Sequence, residues 1–191
     1  SFRRAKLTSE ELEVVKRVEE EMVLEEGRLT ASYPWKPCAD RMKSNFQQVL
    51  KIQCKIEARA AADGSYEDFQ AEMRKAIAAG TVRKLTREEL AWEGPVNFNT
   101  YFGVVNEAST STRLRIVLNS ALKNARSGLS LNDCMFKGPD TLAALLDVLI
   151  HWRTVEVALL LDLQKAYQSI KTREKEMHLR RIVWRENQNS I

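Results

Sequence analysis

The sequence predicts an α+β fold, with helices in its first half and strands after them. Three observations carry that prediction. Apolar residues recur at helical spacing between residues 8 and 80. After Pro95 the chain turns rich in β-branched and aromatic residues, the texture of strands. Of 191 residues, 44% are hydrophobic, enough for a real core in one large domain or two small ones.

The first helix is announced by "TSEELEVVKRVEEEMVLEEGR". Thr8 or Ser9 can cap it, acids fill its first turn, and Gly27 can stop it. Leu12, Val15, Val18 and Met22 form its apolar stripe. "YPWKP" is a rigid extended connector, because each Pro drives the residue before it out of the helical region. Residues 41 to 62 read as a second helix closed by "DGS". Residues 66 to 79 read as a third, with Tyr66, Phe69, Met73 and Ile77 on one face and Gly80 past its end. Such helices form an amphipathic module that packs on a neighbour and serves almost any function.

Two strands follow, "NTYFGVVNEAST" and "STRLRIVLNSA", joined by a polar turn. In the second, Arg113 and Arg115 alternate with Leu114 and Ile116, so period two sets both arginines opposite the apolar face. "RSGLSLND" is a loop, and Asp140 caps "TLAALLDVLIHWR", whose almost wholly apolar make-up calls for burial. "EVALLLD" is a short continuous apolar run, the pattern of a central buried strand, and "HLRRIVWRE" is one more candidate strand.

Lys and Arg number 30 against 26 Asp and Glu, a net charge of +4 and too mild a bias to mark nucleic-acid binding. Its distribution says more. Residues 108 to 132 hold no acid but carry Arg113, Arg115, Lys123 and Arg126, whereas residues 1 to 40 hold the acidic run Glu19, Glu20, Glu21, Glu25 and Glu26. Cys38, Cys54 and Cys134 lack metal-ligand spacing, as do His151 and His178, so reduced thiols of an intracellular protein are expected. No apolar run reaches the roughly 18 residues of a membrane span. No stretch reads as a signal peptide, and a chain that opens on Ser reads as an excerpt of something longer.

For chemistry the residues offer little by themselves. Asp162 closes an apolar run, where a carboxylate can hold a hard cation or cap the next helix. Two guanidiniums on one strand face can grip a phosphate or lie on a solvated edge. Walker, G-x-G-x-x-G, H-E-x-x-H and G-x-S-x-G patterns are all absent.

The order of the segments adds to this. "GRLTASYPW" (27–35) follows a helical lead-in, "NFQQVLK" opens a helix at Asn45, and "YEDFQAEMRKAIAAGTVRKL" opens another at Tyr66. "YFGVV" (101–105), "STSTRLRIVLNSA" (109–121), "GLSLNDCMFKGP" (128–139) and "LIHWRTVEVALLLDLQKAYQSI" (149–170) come next. In that order these phrases resemble the reverse transcriptase region of Bel/Pao-type LTR retrotransposons, over about residues 8 to 185. The resemblance implies a helical N-terminal extension over residues 1–92, then the fingers and the start of a truncated polymerase palm over residues 93–191. It implies an RNA-directed DNA polymerase that works on an RNA or DNA template-primer and deoxynucleotides, uses Mg²⁺, and acts in cytoplasmic particles or the nucleus. The rest of the polyprotein would be its partner, with no membrane involved.

Residue by residue, Asp162 matches the first catalytic and metal-binding carboxylate, helped by the backbone carbonyl of Leu163. Arg115 matches the arginine that clamps the incoming triphosphate, with Arg113 as helper. Leu163, Ala166 and Tyr167 line the nucleotide, Tyr167 as the aromatic gate against a ribose 2′-hydroxyl. The sequence departs from the family pattern in places. "DD" occurs nowhere, Asn119 stands for an acid, Gln164 for a Glu, and Gly103 replaces a P-H-H-P phrase. Without the later acid pair the chain alone is expected to be inactive. Its apolar 141–161 region is expected to lack partners and to favour aggregation. Two other readings stay open. One is a nucleic-acid-binding module that uses the 108–132 stretch with Arg180, Arg181 and Arg185. The other is a protein-binding module built on residues 8–80.

Overall fold

The computed structural model describes residues 7–25, 27–105, 114–140, 142–162 and 166–187. It is α+β, with two small three-stranded sheets among the described residues. The chain divides into two compact units, Ser1–Pro34 with Phe136–Arg173 and Trp35–Met135 with Glu174–Ile191.

The first unit opens with α1 (Ser9–Glu20). Thr8 closes a capping box there. Its Oγ1 accepts from the Glu11 amide at 3.2 Å, and its own amide donates to Glu11 Oε2 at 2.8 Å. The helix ends well before Gly27. The chain then forms a hairpin of β1 (Val23–Glu25) and β2 (Arg28–Ala31), in register from Val23↔Thr30 to Glu25↔Arg28. Gly27, at φ 74°, supplies the left-handed step of that turn. The expected stripe is corrected accordingly. Val14 is the buried residue, Val15 and Val18 are half-buried, and Leu12 and Met22 are exposed, Met22 because it lies beyond the helix.

β5 (Lys171–Thr172) joins β2 in parallel. Between them in the chain lie α5 (Leu145–Trp152) and α6 (Ala166–Ser169). Here two expectations fail. The apolar helix starts at Leu145, while Asp140 instead accepts a bond from the Leu142 amide at 3.1 Å. Its leucines are exposed, Leu145 at 72%. Residues 157–162 form no strand, and Leu159, Leu160 and Leu161 are 80%, 86% and 86% exposed. A continuous apolar run becomes a strand when neighbours pair both edges and layers cover both faces. Among the described residues neither is present, as the expectation of an unpartnered 141–161 region has it.

The second unit holds α2 (Phe46–Ala62), α3 (Tyr66–Ala78), α4 (Arg87–Leu90), β3 (Phe98–Val105), β4 (Leu114–Asn119), α7 (Glu174–Met177) and β6 (Arg181–Ile182). The "DGS" stop works through Asp63, whose Oδ1 accepts from the Ser65 amide at 3.0 Å and from its hydroxyl at 2.5 Å. The sheet order is β4-β3-β6. β3 and β4 run antiparallel from Thr100↔Asn119 to Val105↔Leu114, and β6 is parallel to β3 at Phe98↔Arg181. The candidate strand at 178–186 thus shrinks to two residues after a 3₁₀ turn, His178–Arg180.

Phe69 and Met73 of α3 bury against Tyr101 and Leu114, with the Phe69 and Tyr101 rings stacked at 5.3 Å. A second cluster gathers Ala39, Met42, Leu131, Cys134 and Leu179. Polar side chains on and before α2 complete the sheet. Asn45 exchanges two bonds with the Phe98 backbone, at 2.7 and 3.0 Å, and Gln53 does the same with Tyr101, at 3.2 and 3.3 Å. Each amide group thus stands in for a strand residue.

Candidate functional site

Arg115 lies on β4, between buried Leu114 and half-buried Ile116, and is itself exposed. The expected alternation therefore holds at these three positions. Its register partner is Val104 of β3. Arg113 lies outside the described residues. Asp162 belongs to the first unit and Arg115 to the second. Asp162 is exposed and sits in irregular chain. Leu163 lies outside the described residues, half-buried Ala166 opens α6, and Tyr167 follows within that helix. Among the described residues no group of three or more His, Cys, Asp or Glu is placed to hold a metal ion. One exposed carboxylate is a partial ligand set for Mg²⁺, which takes further oxygens from substrate phosphates and water. It does not make up a two-metal centre, so no catalytic step follows from this geometry.

The loop "GLSLNDCM" is more fully built. Ser130 and Asp133 cap each other. The Ser130 amide and hydroxyl each donate to Asp133 Oδ2 at 2.7 Å, and the Asp133 amide donates back to Ser130 Oγ at 3.2 Å. Lys123 Nζ reaches the same carboxylate at 2.5 Å. That ion pair, with the Ser130 bonds, holds the Asp133 carboxyl well below the usual carboxylate range. One of the cations in the basic stretch is thus matched by the acid just beyond it. Asn124 anchors the turn, donating to the Lys43 carbonyl at 2.6 Å and accepting from the Arg126 amide at 2.9 Å. The loop also meets the proline-rich connector. Trp35 bridges Met135, and the Lys36 amide donates to the Cys134 carbonyl at 2.8 Å.

Two of the other arginines proposed for nucleic acid, Arg181 and Arg185, are occupied internally, whereas Arg126 is exposed. Arg185 pairs with fully buried Glu57, its Nη2 2.5 Å and its Nε 3.1 Å from Glu57 Oε2. Arg181 is buried and donates to the Glu89 carbonyl at 2.6 Å, with His178 Nδ1 at 2.7 Å. The His178 ring stacks on Trp92 at 4.5 Å. Burial, and then the Arg181 charge, push its imidazole below the ordinary histidine range. Sequence reasoning passed over these partners because a charged residue in a short segment reads as surface.

The three cysteines are free thiols. Burial and the neighbouring Cys38 thiol push Cys134 up to about 11, which leaves it a poor nucleophile. Among the described residues no helix is long and apolar enough to cross a membrane. Comparison with protein-family models, curated proteins and solved structures gives no match.

Proposed function

We propose that this chain is the fingers region and the start of the palm of a Bel/Pao-like reverse transcriptase. It would act as part of a polymerase that copies an RNA or DNA template with deoxynucleotides and Mg²⁺. The observation that carries the reading is the packing of the resembling phrases. The Asn45 and Tyr66 helices, the β3–β4 pair and the "SLND" loop fold into one unit, which Trp35 joins through its bridge to Met135, whereas residues 27–34 and the Asp162 phrase belong to the other unit. Phrases spread over about 90 residues, from Asn45 to Asp133, thus pack together, which supports their descent from one ancestral domain. The exposed position of Arg115 on that hairpin supports its part as a triphosphate clamp. Exposed Asp162 would supply one metal-binding oxygen, and the remaining carboxylates would come from other parts of the polymerase.

The test is primer extension on an RNA template by the product of the uninterrupted reading frame, with Mg²⁺ and deoxynucleotides. Asp162→Asn is expected to reduce extension to background. Arg115→Ala is expected to raise the KM for deoxynucleotides about 10-fold or more, from the loss of a charge-assisted contact. Extension that survives Asp162→Asn contradicts the reading.

A further inference from the structure

Among the described residues, the edge of β3 that faces away from β4 is occupied for only part of its length. Backbone groups in a strand alternate sides, so odd-numbered residues of β3 present their N–H and C=O to this edge. Asn97 uses both there, its amide donating to the His178 carbonyl at 3.0 Å and its carbonyl accepting from the Arg181 amide at 3.2 Å. β6 continues the pairing at Phe98 and Asn99. Gln53 then takes both groups of Tyr101. The register with β4 runs unbroken from Thr100 to Val105, so the alternation is not shifted by a bulge. Gly103 and Val105 therefore aim the next two N–H and C=O pairs at the same edge.

What lies beside them is a groove of about 730 Å³. Phe102, Gly103 and Val105 of β3 line it together with Ile56, Arg59 and Ala60 of α2. Phe69 and Leu114 line it as well. Gly103 is suited to its place, since a Cβ there would come within 3.1 Å of the Leu114 side chain. Asp63 and Asp68 flank the groove with Arg59, which leaves it one negative charge in excess.

We infer that this groove is a strand-addition site for an extended peptide of a partner protein, one with alternating apolar side chains and a basic flank. The peptide would prolong the line already set by β6 and by the Gln53 amide, bonding to Gly103 and Val105. Main-chain bonds would give affinity, and every second side chain would settle on the apolar lining. α2 contributes Ile56, Arg59 and Ala60 to the lining of the same groove. The excess negative charge selects a Lys or Arg at the peptide's end. This inference does not depend on the polymerase reading.

The experiment uses the full chain and a fluorescein-labelled hexapeptide, Lys-Val-Thr-Val-Thr-Lys, read by fluorescence anisotropy. Saturable binding is expected. Two further peptides carry N-methyl groups on alternate residues, one set in each phase. The set that blocks the β3-facing amides is expected to weaken binding about 10-fold or more, and the other set to leave it nearly unchanged. Asp63→Asn with Asp68→Asn is expected to weaken binding of the Lys-flanked peptide, more so at low salt. Because the peptides carry the decisive change, the folding of a variant does not enter. Absence of saturable binding overturns the inference. Equal loss with both methylated sets overturns it, as does a dimer of the chain, seen by sedimentation, that the peptide does not displace.

Discussion

Gln53 sits in a helix, yet its amide closes the edge of a strand, and it is fully buried. Replacing it with Leu would keep the volume and leave the Tyr101 backbone groups without their partner. The expected cost is about 2–4 kcal/mol in denaturant unfolding, since two buried groups lose their bonds. Arg185→Ala would strand the Glu57 carboxylate and is expected to cost about 3–5 kcal/mol by the same measurement. His178, and the lowered carboxylates of which Glu89 is one, shape the acid side of the stability profile. The folded imidazole of His178 titrates below its unfolded value, so the unfolded state binds the proton first. Stability from this group is present above roughly pH 6.5 and falls as pH drops through that value. Glu89 is held at about 2 by the bonds from Arg83 and the Thr86 amide. Its contribution is present above the usual carboxylate range and is lost as pH falls toward 2. Unfolding curves taken across pH are therefore expected to show two descending steps, and His178→Gln to remove the upper one.

At the scale of elements, local chemistry was the legible part. The Thr8 cap, the Asp63 stop, the face of Phe69 and Met73 and the β3–β4 pairing all follow from nearest neighbours and periodicity. The β1–β2 hairpin was not legible, because "VLEEGR" scores as helix until the turn at Gly27 is allowed to compete. Asn45 and Gln53 were missed as well. A polar residue in a helical pattern is read as solvent-facing, and only the tertiary fold shows which backbone it serves. The apolar 142–161 stretch is the opposite case, since composition calls for burial that no described neighbour provides. Leu145→Glu with Leu149→Glu and Leu160→Glu is expected to make the chain more monodisperse. Light scattering after gel filtration would check this, with the far-ultraviolet circular dichroism little changed.

At the scale of the whole molecule, the two units each draw on distant parts of the chain, 1–34 with 136–173 and 35–135 with 174–191. Such a division is hard to read from a linear sequence, since contacts between remote segments leave no local pattern. The candidate site reflects this. Arg115 and Asp162 each follow from a short phrase, but they belong to different units, and the order of the phrases is what links them. The proposed function makes the chain one part of a polymerase whose remaining carboxylates lie outside it. The most direct measurement is the sequence of the transcript downstream of the Ile191 codon. An open frame that runs into a Y-x-D-D-type strand–turn–strand segment is expected. A frame that closes without an acidic pair would contradict it, and Asp162 would then be a surface carboxylate with no catalytic company.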